Sequence, residues 1–177
     1  MSSDTLLDAQ QRLERLVRQR PAVARIRDVP ATALWEGGGR TCVLHPDGNM
    51  VYTDLPRELG GNGAQVSPGW LLRAALASCA VTRIAMLAAE RGMQPERLEA
   101  DVTSETDLHG LLGLCLEDGQ RVPPGPLAIH LRLRIRVPNV EDRAVRDLVE
   151  QAMGVSPVLG AMTEAVVVRL DIDSGAD

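Results

Sequence analysis

The spacing of hydrophobic positions changes several times along the chain, and each change marks a predicted element. Leu6, Ala9, Leu13, Leu16 and Val17 recur at helical spacing until Pro21 ends the run. Residues 1–20 therefore read as a helical arm, packed on the domain or on a partner subunit. Three β-type runs follow, Ala31–Trp35, Thr41–His45 and Asn49–Thr53, separated by Gly37-Gly38-Gly39 and by Pro46-Asp47-Gly48. The second separator is a hairpin signal. The segment Leu55–Gly63 holds Gly60, Gly61 and Gly63. Such a run can cradle a phosphate, but no Gly-Lys-Ser/Thr follows it, so a flexible loop is predicted.

Ser67-Pro68 opens a long helix, with Ser as cap and Pro at the first helical position, and Gly92 stops it. Between Trp70 and Ala89 only Arg73, Ser78, Thr82 and Arg83 interrupt an apolar surface. A helix apolar all round is predicted to be buried all round. Leu98–Thr106 alternates apolar and acidic positions. Ile129–Val137 alternates apolar residues with His130, Arg132, Arg134 and Arg136. The two are predicted to lie side by side, their acidic and basic faces forming cross-strand pairs. Asn139 is the predicted cap of a helix with Val145, Leu148, Val149 and Ala152 on its buried stripe. Ser156-Pro157 starts another short helix, and Ala165–Ile172 reads as a last strand. Strands segregated in groups between helices indicate an α+β fold, with one domain over residues 1–177 and its core over 30–172.

Composition narrows the picture. The 177 residues are 45 % hydrophobic but only 2 % aromatic, so the core is built from Leu, Val, Ala, Ile and Met. A net charge of −5, and arginines without interleaved aromatics, argue against a nucleic-acid surface. No apolar leader opens the sequence and no run of 18 apolar residues occurs, so no secretory signal and no membrane span are expected. Cys42, Cys79 and Cys115 have no metal-ligand spacing, and the three histidines are scattered, so neither a metal nor a cofactor is expected. Free thiols point to a reducing compartment, the cytoplasm.

The candidate chemistry rests on Cys79, inside the long helix. A free cysteine there often serves as a small hydrophobe. Arg83, one turn on and on the same face, is the feature that favours a thiolate, the reactive form.

Three stretches carry a family resemblance. Ser67-Pro68-Gly69-Trp70-Leu71-Leu72-Arg73-Ala74-Ala75-Leu76-Ala77-Ser78-Cys79 resembles the reactive-cysteine helix of the OsmC/Ohr family, the osmotically inducible and organic-hydroperoxide-resistance proteins. Pro56-Arg57-Glu58-Leu59-Gly60-Gly61 resembles the loop before that helix. Ser156-Pro157-Val158 resembles the second motif, and the element order agrees from about Pro30 to Ile172. The resemblance implies antiparallel sheets wrapped around long central helices in an intertwined homodimer, with sites at the subunit interface. It implies that a cysteine thiolate attacks an organic hydroperoxide. A glycine-flanked arginine assists, oriented by a carboxylate, and a second cysteine resolves the product. Cys79 matches the attacking cysteine, and Arg40, after the three glycines, matches the arginine. The carboxylate position falls on Gly69 and the resolving position on Ser156. Glu58 or Glu36 is a candidate replacement carboxylate, and Cys42 or Cys115 a candidate resolver. Two functions stand as alternatives. One is a peroxidase with a single reactive cysteine and an external thiol reductant. The other is a non-catalytic dimer that binds a small apolar ligand or a protein partner, with Cys79 structural.

Overall fold

The computed structural model of this chain describes residues 3–175. Helix α1 (Ser3–Gln19) is followed by a short turn of 3-10 helix and by strands β1 (Thr32–Gly37), β2 (Arg40–Leu44) and β3 (Met50–Thr53). The long helix is α2 (Pro68–Glu90). Then come β4 (Arg97–Glu105), α3 (Leu108–Leu112), β5 (Ala128–Arg136), α4 (Asp142–Gly154) and α5 (Pro157–Thr163). The strands form two antiparallel sheets, β1-β2-β3 and β4-β5, and the architecture is α+β.

Alternation decides which face of the β4–β5 ribbon is buried. Leu98 pairs with Ile135 and Ala100 with Leu133, and this apolar face meets α2 and α4. Ile84 and Ala88 of α2 lock against Leu148 and Ala152 of α4, with Leu87, Met93, Val149 and Met153 around them. The opposite face of the ribbon carries charge. Arg134 bonds Asp101 and approaches Glu99, Arg97 bonds Glu99 at 2.8 Å, and Arg136 reaches Glu96 at 3.3 Å. The Arg97 guanidinium, helped by Arg134, holds the Glu99 carboxyl below its ordinary range. The predicted cross-strand pairing is met at Arg134, while Arg136 is answered by Glu96 just before β4.

Four expectations need correction. First, α2 is not buried all round within one chain. Leu76, Ala80, Ile84, Ala88 and Ala89 are buried, but Trp70 and Leu72 are 47 % and 42 % exposed. Helices α1, α4 and α5 and strand β4 cover one side only. By length and composition alone α2 is also apolar enough to cross a membrane, despite its two arginines. Second, Asn139 does not cap α4. Glu141 holds that place without a side-chain cap bond, and Asn139 lies in the preceding turn at φ 58°, a conformation Asn tolerates. Third, Ala165–Ile172 forms no strand. It has strand composition but finds no pairing partner, leaving Val167 and Val168 84 % and 88 % exposed. Fourth, the glycine-rich loop is not a free loop. It contains a 3-10 turn, Arg57–Leu59, and wraps the buried carboxylate of Asp54, whose Oδ2 accepts the amides of Asn62 and Ala64 at 3.1 and 3.2 Å. At Gly61 a Cβ would collide with the Leu55 carbonyl, so the chain passes itself too closely for any other residue.

Candidate functional site

Two helix starts place the central pair. At the first, Ser67 Oγ accepts the Trp70 amide at 3.2 Å and Pro68 gives up no needed donor, which fixes α2 and so the turn that carries Cys79. At the second, Ser156 is the cap of α5, accepting the Leu159 amide at 3.4 Å, with Pro157 behind it. Helix α5 packs on α2, and Cys79 Sγ stands 3.3 Å from Ser156 Oγ. Cys79 is half-buried and Ser156 buried. The hydroxyl accepts the Leu159 amide with one lone pair and keeps its proton, which it can donate to the sulfur, an interaction stronger toward a thiolate than toward a thiol.

The other candidates are placed differently. Arg83 donates from Nη1 to Met86 Sδ at 3.5 Å, its Nε is buried without a partner, and no hydrogen bond joins it to Cys79 among the described residues. Arg40 begins β2, after the glycine turn, and its Nη2 meets Glu36 Oε2 at 3.3 Å. That turn is tied down: Trp35 Nε1 donates to Gly38 O at 3.0 Å, and a Cβ on Gly39 would press on Leu55 at 2.8 Å. No hydrogen bond joins Arg40 to Cys79 among the described residues. Of the two candidate carboxylates, Glu36 holds Arg40, whereas Glu58 is exposed in the 3-10 turn with no bond or ion pair there. Gly69 lies in the first turn of α2, beside Ser67 and Arg73.

All three cysteines are free. Cys42 is buried in the middle of β2 opposite Tyr52, and the nearness of that thiol, with help from burial and Glu36, pushes the Tyr52 hydroxyl above its ordinary range while Arg40 pulls it down. Cys115 is exposed, and its backbone pairs with that of Arg121 in an isolated antiparallel β-bridge. Among the described residues no three His, Cys, Asp or Glu side chains gather to hold a metal. Sequence reasoning missed Asp54. An Asp just after a strand and before three glycines is the signal that would have found it, since acceptor side chains order loops by taking backbone amides.

The family profile described as OsmC-like protein matches residues 60–171, which include α2, Cys79 and Ser156. The chain belongs to the OsmC-like family. Solved structures share the fold. The OsmC-like protein of Mycoplasma pneumoniae is 16 % identical with a TM-score of 0.64, over 78 % of this chain and 89 % of that one. The organic hydroperoxide resistance protein OsmC of Legionella pneumophila is 22 % identical with a TM-score of 0.57, over 78 % and 90 %. The organic hydroperoxide resistance protein OhrB of Bacillus subtilis is 20 % identical with a TM-score of 0.50, over 78 % and 92 %. No curated protein matches the chain. In this OsmC-like chain the second motif thus carries a hydroxyl against the helix cysteine.

Proposed function

We propose that the protein is a thiol-dependent peroxidase that reduces organic hydroperoxides through Cys79 alone. The supporting observation is the 3.3 Å approach of Cys79 Sγ to the buried Ser156 hydroxyl, which pairs the two family motifs at one half-buried sulfur. In this reading the thiolate of Cys79 attacks the terminal oxygen of ROOH. The O–O bond breaks, and the departing alkoxide takes a proton and leaves as ROH. Cys79 is left as a sulfenic acid, which Ser156 cannot resolve. An external thiol displaces water to give a mixed disulfide, and a second thiol releases Cys79. Organic hydroperoxides are preferred over hydrogen peroxide, since α2 around Cys79 is built mainly of Leu, Ala, Val and Met and each buried methylene contributes roughly 0.8 kcal/mol. The active unit is a homodimer in which the glycine turn of one copy brings Arg40, held by Glu36, to the other copy's thiol. The working compartment is the reducing cytoplasm.

A second reading, a non-catalytic dimer with a structural Cys79, draws on one observation: Arg40 is engaged by Glu36 and makes no hydrogen bond to Cys79 among the described residues. One assay separates the two. Consumption of an alkyl hydroperoxide with excess small dithiol should be abolished in Cys79→Ser and slowed about 100-fold in Arg40→Ala, the order of effect of losing one charge-stabilising donor. Wild type no faster than Cys79→Ser would leave the binding reading in its place.

A further inference from the structure

We propose that the cleft between the first turns of α2 and the β4–β5 ribbon binds an organic monocarboxylate with a flat apolar body, at a site separate from Cys79. The cleft has a volume of about 630 Å³ and is lined by Trp70, Arg73, Ala77, Val102, His130 and Arg132, among others. That volume lies inside the range of small-molecule sites, roughly 300–1,000 Å³.

The argument begins with charge. Arg97, Arg134 and Arg136 each meet an acid on or beside β4. Arg132 stands opposite Asp101 in register, yet Asp101 is taken by Arg134, and Arg132 has no ion pair among the described residues. Arg73 donates from Nη1 to Ser104 Oγ at 3.1 Å, a neutral partner that leaves its charge unanswered. Gly69 adds to this. A Cβ there would sit 3.9 Å from Arg73 Nη1, so the missing side chain leaves that flank of the guanidinium open. Asp101 also lines the cleft, but Arg134 engages it, so two guanidinium groups border the cleft without an ion pair of their own, and Arg is the side chain best shaped to take a carboxylate bidentately. The first turn of α2 adds the positive end of its dipole.

The rest of the wall selects the body of the ligand. Trp70 is 47 % exposed beside this cleft, and an indole face suits a flat apolar group. Ala77 and Val102 supply an apolar floor with no competing hydrogen-bond donors. Cys79 is not part of the wall. At about 100° per residue it lies some 200° around α2 from Ala77, on the side facing α5.

The sequence has two tryptophans, so Trp35→Phe leaves Trp70 as the sole indole reporter. Titration of this variant with naphthoate should give saturable quenching of Trp70 emission. The uncharged methyl ester should bind at least about tenfold more weakly, a comparison that needs no further substitution. Arg73→Met and Arg132→Met should each weaken naphthoate by about tenfold, near the value of one charge-assisted hydrogen bond. Arg136→Met, on the same ribbon but outside the cleft, should bind as the parent does. Absence of saturable quenching, equal affinity for acid and ester, unchanged affinity in both cleft variants, or an equal loss in Arg136→Met would each overturn the proposal.

Discussion

Ser156 performs two tasks with one oxygen: it caps α5 by accepting the Leu159 amide, and it meets Cys79. Ser156→Ala should therefore show two effects. Loss of the cap should lower stability by about 1 kcal/mol in urea unfolding. Loss of the donor should slow the reaction of Cys79 with iodoacetamide at neutral pH about fivefold, the worth of a hydrogen bond of ~1 kcal/mol. Ser156→Cys keeps the geometry nearly intact, and its sulfur needs to move by little more than an ångström to close a disulfide of about 2.05 Å from the present 3.3 Å. Peptide mapping after one equivalent of hydroperoxide should find that bridge in Ser156→Cys and no intramolecular disulfide in the wild type. A Cys79–Cys115 bridge in the wild type would instead make Cys115 the resolver. Asp54 gives a third test at this scale. Its buried carboxylate holds the Asn62 and Ala64 amides of a surface loop, so Asp54→Ala should cost about 3 kcal/mol in the same unfolding measurement. Cys79 and Ser156 stand out from local motifs. Spacing does not reveal their contact, because 77 positions separate them and the packing of α5 on α2 joins them; only the family resemblance, which puts Ser156 at the resolving position, points to it.

At the scale of elements, local chemistry announced most boundaries. Ser-Pro pairs cap both α2 and α5, and Pro46-Asp47-Gly48 turns β2 into β3 with Gly48 at φ 88°. The alternation of Ile129–Val137 gave both the strand and its buried face. What failed depended on distant neighbours. Asn139 has a cap's chemistry, but the left-handed turn it occupies delays α4 to Asp142. The three glycines of the loop after β3 read as freedom, whereas Gly61 is required by a close backbone crossing that sequence spacing does not reveal. The distinction is measurable. Gly61→Ala must displace the Leu55 carbonyl and should cost more than about 2 kcal/mol, while Gly125→Ala, with nothing within 4 Å of its Cβ, should change stability by less than about 1 kcal/mol.

At the scale of the whole molecule, one chain leaves two apolar surfaces unsatisfied. The first is the side of α2 away from its own β4, α4 and α5, where Leu72, Ala75 and Ser78 are exposed on a helix otherwise suited to a core. The second is Ala165–Ile172, whose Val166, Val168, Leu170 and Ile172 alternate as a strand does without a strand beside it. Meanwhile β4 and β5 form only a two-stranded ribbon, and its two outer edges carry no further strand among the described residues. An isolated ribbon with open edges, in a chain that also carries an unpaired segment of strand composition, favours pairing between chains. In the proposed dimer a second copy would answer both needs at once, by covering α2 with its own α2 and lending its terminal segment to a sheet. Light scattering over a dilution series should therefore report a dimer down to low micromolar concentration. Ala75→Arg puts a charge into the α2 seam, and deletion of residues 165–177 removes the lent strand; each should give a monomer or an insoluble chain. The two changes lie on different elements, so a dimer that survives both would mean that the exposed faces are covered by neither route, and a stable wild-type monomer at micromolar concentration would refute the shared site assigned to Arg40 and Cys79.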